Sequence, residues 1–254
     1  MLLKDGKIPL RWWNKSPNFG DLLAPWLVAK MSGKEVYHAS AKEPHYLTIG
    51  SILYKTASNK SIVWGSGCFG TETTNMSPAK TKFLAVRGPL TRNKIVTHGG
   101  VCPRIYGDPA LLVPEYYFPK VDKKYELGVI LRWSEKKWLD MELPQGMKKI
   151  NFGASDIEGT LDDILACERV ASSSLHGLII ADAYGIPSIW IDSDSPQGTE
   201  FKFHDYFLSV DKQRQPMPFE DVLKYPKSFR YDDRDIMSKN DCSALLDVCP
   251  FLSP

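Results

Sequence analysis

The sequence predicts an α/β protein whose parallel strands are joined by helical crossovers. Three features point there. The β-rich runs are nearly continuous apolar stretches rather than alternating ones, as expected where both faces of a sheet are covered. Helical patterns fall between those runs, which requires strand–helix–strand crossovers. The 254 residues, 43% hydrophobic and 24% charged, hold enough material for one large core or two smaller ones.

The elements follow in order. A helical pattern, LLAPWLVAKM (residues 22–31), is entered through NFGD (18–21), and Pro25 suits only a helix's first turn. Strands are predicted at LTIGSIL (47–53), SIVWGSG (61–67) and FLAVRG (83–88), then a helix at LTRNKIVTHG (90–99). Strands LGVILRW (127–133) and KKINFG (148–153) come next, followed by a helix, LDDILACE (161–168). The strand RVASSS (169–174) leads into the helix LHGLIIADAYG (175–185), which Gly185 stops with Pro187 just beyond. PSIWID (187–192) is the last predicted strand and CSALLDV (242–248) the last helix.

Two prolines and a charge cluster in VPEYYFPKVDKKYE (113–126) suggest a boundary. The expected organisation is an N-terminal α/β half (1–119), a C-terminal α/β half (120–205) and a tail (206–254) that packs back on the first half.

Composition excludes several classes. A formal charge of +2, with no Lys/Arg run on one face, argues against nucleic acid. Five cysteines without a C-x-x-C pair argue against a disulfide framework and a zinc ribbon. The five histidines show no H-x-x-x-H or H-E-x-x-H spacing. The N-terminus does not read as a signal peptide, and no stretch of 18 apolar residues occurs. A cytoplasmic location follows as the expectation.

The stretch SSSLHG (172–177) carries the sharpest chemical reading. If a strand ends there and a helix begins, His176 lies in the first helical turn, where backbone N–H groups lack intrahelical partners. Those donors, the hydroxyls of Ser172, Ser173 and Ser174 and the positive end of the helix would together hold an anion. Leu175 contributes its place in that turn, and Gly177 permits close approach. The competing reading is that Ser174 merely caps the helix. Asn18, Gly20 and Asp21 form a second loop-to-helix junction, which either caps or binds hydroxyls. Gly65, Gly67 and Gly70 fit G-x-G-x-x-G, but neither a following helix nor an acid at the right distance appears. Gly65 and Gly67 are read instead as a strand end facing a ligand cleft. Arg87, Arg132 and Lys202 are the cations expected to answer an anion's charge.

NFGD, VWGSG (63–67), AVRGPLT (85–91), YGDPALL (106–112), SSSLHG with AYGIP (183–187), and FKFHDYF (201–207) occur in that order. Together they resemble the polysaccharide pyruvyl transferase family, in particular its bacterial exopolysaccharide branch. The resemblance implies two Rossmann-like halves in a GT-B-like arrangement with a cleft between them. It implies transfer of pyruvate from phosphoenolpyruvate onto sugar hydroxyls as a cyclic ketal, without a cofactor and with no metal expected. His176 takes the place of the family's S-x-x-L-H-G histidine, Arg87 that of its arginine with Thr91 as the nearby hydroxyl, and Lys202 a basic position downstream. Asn18 and Asp21 match the N-x-G-D loop, on the acceptor side. Many members have arginine where this chain has Ser174, so Arg87, Arg132 or Lys202 must supply that charge. The acceptor implied is a lipid-linked oligosaccharide at the inner face of the cytoplasmic membrane. Two rivals remain: a GT-B-type glycosyltransferase using a nucleotide sugar, with Asp192 and Asp194 on the ribose, and a non-catalytic anion-binding protein of polysaccharide assembly.

Overall fold

The structure, a computed structural model, describes residues 1–72, 80–132, 134–193, 200–224 and 242–252. Two all-parallel sheets organise it. The first has the order β2–β1–β3–β4–β5, built from β1 (Ile8–Leu10), β2 (Val36–His38), β3 (His45–Leu47), β4 (Ser61–Trp64) and β5 (Lys82–Ala85). The second has the order β7–β6–β8–β9, from β6 (Tyr125–Ile130), β7 (Met147–Ile150), β8 (Cys167–Ser172) and β9 (Ser188–Trp190). The helices are α1 (Phe19–Ser32), α2 (Leu53–Thr56), α3 (Pro89–Thr97), α4 (Lys136–Leu139), α5 (Ile157–Leu165), α6 (Leu175–Ala183), α7 (Phe201–Ser209), α8 (Phe219–Lys224) and α9 (Ser243–Asp247). A 3-10 helix, Pro109–Glu115, connects the sheets. None of the helices described is long and apolar enough to cross a membrane.

Most predicted strands are real but end early. The run 61–67 stops at Trp64, 83–88 at Ala85, 127–133 at Ile130, and 169–174 at Ser172. The residues cut off, among them Gly65, Gly67, Arg87, Arg132 and Ser173, form loops beyond the strands' carboxyl ends. The run 47–53 departs furthest. Its strand ends at Leu47, the chain turns at Gly50 with φ +108°, and Leu53 already starts α2. An L side chain rarely adopts that φ, so the apolar run cannot continue as a strand.

The helix predicted at 161–168 starts earlier and ends sooner. Asp156 caps it, its side chain accepting from Gly159 N–H at 3.0 Å, and Cys167 has already joined β8 by pairing with Tyr125. Pro25 lies well inside α1 rather than in its first turn. The start is set instead by Asn18, whose Oδ1 accepts from Asp21 N–H at 3.4 Å. It is set also by Phe19, buried against Phe152 with ring centroids 4.6 Å apart. Strands β1 and β2 lie outside the predicted strands: Pro9 interrupts the first, and the second, half-exposed Val36–His38, carries no apolar run.

One apolar cluster runs through both sheets, joining Phe19, Leu23 and Trp64 to Ile130, Ile179 and Phe203. The boundary expected after residue 205 falls inside α7. Residues beyond it stay with the second sheet, since Phe207 packs on Trp190, Met217 bridges Ile191 and Phe219 packs on Trp138. The described residues from 242 on return to the first sheet. There Trp64 Nε1 donates to the Leu245 carbonyl at 2.9 Å, and Phe251 sits edge-on to Tyr46 and Trp64.

Candidate active site

Within each sheet all strands are parallel, so the loops leaving their carboxyl ends gather on one side, where ligands of α/β folds lie. His176 stands at the centre of these loops, in the first turn of α6. Ser174 occupies the N-cap position in an extended conformation, but its side chain makes no cap hydrogen bond. The ring of His176 packs against the backbone of α1's first turn: a Cβ on Gly20 would lie 2.1 Å from Nδ1. Its Nε2 faces Asp108 Oδ2 at 3.8 Å. His45, fully buried where His176 keeps a small exposed edge, differs in having both ring nitrogens satisfied, at 2.8 Å from the Glu43 carbonyl and 2.8 Å from Ser61 Oγ.

Three charged groups act on the imidazole: Arg87, Lys202 and Asp108. Burial foremost, then Arg87 and Lys202, push the His176 pKa down to about 3, so the resting ring is neutral. Asp108 would pull the other way. Its carboxyl is itself raised to about 6 by burial, and 3.8 Å exceeds a hydrogen bond, so the lowered direction stands. Lys202, 8% exposed, sits 5.4 Å from the Phe69 ring centroid and 5.2 Å from that of Phe203. Burial lowers its pKa to about 7; Arg132 and Arg87 push the same way, while Asp21 and Glu135 oppose. Burial raises Asp21 to about 7 against the pull of Lys202. His176, Arg87, Lys202, Arg132 and Asp21 thus share one electrostatic environment, although they come from α6, α7, α1 and loops of both sheets.

Other predicted site residues turn out to be held by protein. Arg87 is 1% exposed, and all three of its nitrogens are engaged: Nε donates to Asp205 Oδ2 at 3.0 Å, Nη1 to Ser51 Oγ at 2.7 Å and Nη2 to the Cys68 carbonyl at 2.7 Å. Thr91 adds its N–H at 2.8 Å and its hydroxyl at 2.6 Å to Asp205. Arg87 therefore acts on the site through its field more than through free donors. The Ser172 hydroxyl closes the turn, donating to the Ser174 carbonyl at 2.8 Å and accepting from Ser174 N–H at 3.0 Å. The Ser173 hydroxyl donates to Glu135 Oε2 at 2.5 Å and accepts from Arg132 N–H at 3.1 Å. Leu175 is buried in the core, and Gly177 makes room for Ser172 Oγ, 2.3 Å from where its Cβ would stand. Asn18 caps α1.

The glycine-lined cleft wall expected at Gly65 and Gly67 is a correction. A Cβ on Gly65 would meet Pro109 Cδ at 2.2 Å, one on Gly67 the Arg87 Cζ at 2.4 Å, and one on Gly70 the Phe201 Cβ at 2.5 Å. These glycines admit other protein atoms rather than a ligand. Trp133 and Asp194 lie outside the described residues, and Asp192 accepts from Ser193 N–H at 2.8 Å.

Sequence reading missed Asp108, Asp205 and Glu135. Asp108 caps the 3-10 helix, Oδ1 accepting from Ala110 N–H at 3.0 Å. The signal was present in YGDP, an aspartate directly before a proline at a helix start. Glu135 is 6% exposed, and among the described residues its Oε1 and Arg132 Nη1 both lack hydrogen-bond partners.

Two parallel sheets whose carboxyl-end loops share a buried imidazole and a set of cations define an α/β protein with a polar, cation-rich site. The chain belongs to the polysaccharide pyruvyl transferase family, whose model matches residues 36–195. It is 28% identical over 219 residues to an uncharacterized protein of Acanthamoeba polyphaga mimivirus, covering 80% of this chain and 74% of that one. It is likewise 28% identical over 223 residues to the succinoglycan biosynthesis protein ExoV of Rhizobium meliloti, covering 82% of this chain and 66% of that one. A crystal structure of an uncharacterized protein from Klebsiella pneumoniae is similar at a TM-score of 0.44 and 12% identity, over 79% of this chain and 87% of that one.

Proposed function

We propose that the chain transfers the pyruvyl group of phosphoenolpyruvate onto two hydroxyls of a sugar in a polysaccharide repeat unit, as a cyclic ketal. Family membership supports pyruvyl transfer, and the likeness to a succinoglycan biosynthesis protein supports an exopolysaccharide setting. The observation that carries the reading is a buried, neutral His176 within the field of Lys202 and Arg87. An anionic donor would complete that field, and its negative charge raises the imidazole's pKa toward protonation. In the GT-B-like cleft of this reading, residues 120–205 hold the donor and 1–119 the acceptor. The charge comes from side chains, so no metal is invoked.

The chemistry balances as follows. The imidazolium of His176 gives its proton to the methylene carbon of the donor, which becomes a methyl group. The first sugar hydroxyl bonds to the neighbouring carbon and loses its proton to Asp21, whose carboxyl is held near neutrality. The second hydroxyl then attacks the same carbon, the C–O bond to phosphate breaks, and phosphate leaves with that hydroxyl's proton. The acceptor in this reading is lipid-linked and met at the inner face of the cytoplasmic membrane.

The test is release of inorganic phosphate from phosphoenolpyruvate with nitrophenyl or lipid-linked sugars. Acceptor-dependent release is expected. Turnover of a nucleotide sugar instead would replace this reading, as would binding without turnover. Lys202 also sets a pH dependence. With its pKa lowered to about 7 it loses charge above that pH, while Asp21, raised to about 7, must be ionised to accept a proton. The kcat/KM for phosphoenolpyruvate therefore passes through a maximum near 7 and falls on the alkaline side as Lys202 discharges. A flat profile from pH 6 to 9 would show that Lys202 does not bind the donor as a cation.

Gly20 offers a local check. In Gly20→Ala the new methyl collides with the His176 ring, so turnover drops by up to ~100-fold. Displacing the ring costs about 1–3 kcal/mol, which outweighs the up to ~1 kcal/mol that alanine gains in a helix, so the melting temperature falls only slightly while turnover falls strongly. Unchanged turnover would mean that the position of the ring does not matter.

A further inference from the structure

Asp108 and His176 form a pair that neither helix capping nor donor charge accounts for. The bridge between Val86 and Tyr106 carries the chain alongside β5 and delivers Asp108 to the carboxyl end of the first sheet. Its Oδ1 is pinned by Ala110 N–H at 3.0 Å, while Oδ2 is buried without a hydrogen-bond partner among the described residues. His176 Nε2 is likewise buried and without a partner, and these two atoms face each other at 3.8 Å. A buried polar atom left unpaired costs about 1–3 kcal/mol, so two facing orphans gain by closing the gap. Bonds between catalytic groups are often long in an empty site and tighten when substrate binds.

The two ring nitrogens are therefore inequivalent. Nε2 looks into the protein at a carboxylate; Nδ1 stands over the Gly20 backbone, with no hydrogen-bond partner among the described residues. We propose that Asp108 is the positioning residue of His176, holding the neutral ring as its Nε2–H tautomer and leaving Nδ1 as the nitrogen that meets substrate. The tautomer stands on geometry alone; the role in turnover rests on the pyruvyl-transfer reading. In that reaction Nδ1–H breaks as the donor's methylene C–H forms. The ring returns to its neutral Nε2–H form, and Asp108 keeps its charge throughout. Arg87 and Lys202 are the cations facing the ring, and Asp108 is the anion that offsets them.

Asp108→Asn separates this role from capping. The amide oxygen still accepts from Ala110 N–H, but the amide nitrogen now donates toward Nε2 and forces the proton onto Nδ1. Long-range ¹H–¹⁵N spectra of histidine-labelled, ligand-free protein are expected to show Nε2–H in the wild type and Nδ1–H in Asp108→Asn. His176→Gln identifies the resonance. Turnover is expected to fall by ~10²–10⁴-fold, with KM for phosphoenolpyruvate nearly unchanged. An Nδ1–H wild type, or a tautomer unmoved by Asp108→Asn, overturns the proposal. So does a variant that switches tautomer yet turns over at the wild-type rate. If the wild type releases no phosphate with any acceptor, the pyruvyl-transfer reading fails and the spectra alone decide the tautomer.

Discussion

His176→Ala lowers the rate of phosphate release at least ~100-fold, the contribution expected of a positioned general acid. The physical basis is the ring's resting state. Burial, Arg87 and Lys202 hold its pKa near 3, so a free imidazole at neutral pH carries no proton to give. An opposite charge close by raises such a pKa by about 1–3 units, and the donor brings both a carboxylate and a phosphate. Reaching neutral pH from about 3 takes about 4 units, so the carboxylate and the phosphate must act on the ring together. On this reading the proton is acquired with the substrate, which spares the empty site a buried cation beside two others. Imidazole titration with and without phosphoenolpyruvate reads this directly. If saturating donor leaves the ring neutral at pH 7, His176 is not the acid. If His176→Ala weakens donor affinity while turnover persists, the ring binds rather than protonates.

Asp205→Ala is expected to destabilise the fold by about 3–5 kcal/mol, because it strands the Arg87 guanidinium in the interior without its counter-charge. In a chain of this size about 1 kcal/mol corresponds to ~2–4 °C, so the melting temperature falls by ~6–20 °C. The pair is fully enclosed, with Arg87 at 1% and Asp205 at 0% exposure. The carboxylate also satisfies the N–H and hydroxyl of Thr91, so three donors lose their acceptor together. Replacing both charges, as in Arg87→Met with Asp205→Leu, should cost less than removing one, since no naked charge remains. Thermal melts of Asp205→Ala and of the double variant decide it. A single variant that melts within ~2 °C of the wild type would place the pair among weak surface-type bridges. Lys202 shares α7 with Asp205, so loosening this clamp should also weaken donor binding.

Parallel sheets were legible because apolar runs such as residues 127–131 and 189–191 leave no polar face for solvent. The turn at 172–177 was legible because serine, histidine and glycine before an apolar helix mark a strand-to-helix junction. Where each strand stops was not. Arg87 and Arg132 looked like strand ends, yet β5 and β6 end two residues before each, at Ala85 and Ile130, with only an isolated bridge at Val86 beyond. Hydrogen bonds to a neighbouring strand set that limit, and the neighbour is remote in sequence. Pro25 shows the same limit, since a helix start fixed by Asn18 and by Phe19 packing on Phe152 outweighs a proline's local preference.

Composition and local pattern alone determined the α/β class, the order of most elements and the choice of His176 as a residue to explain, since these depend on neighbours within a turn or two. Only the tertiary structure decided which polar groups satisfy each other. It paired Arg87 with Asp205 across 118 residues, turned Gly65 and Gly67 into packing sites, and set Asp108 opposite His176. The reason is that burial makes an unpaired charge costly, and which charges are buried together is a property of the chain's path in space.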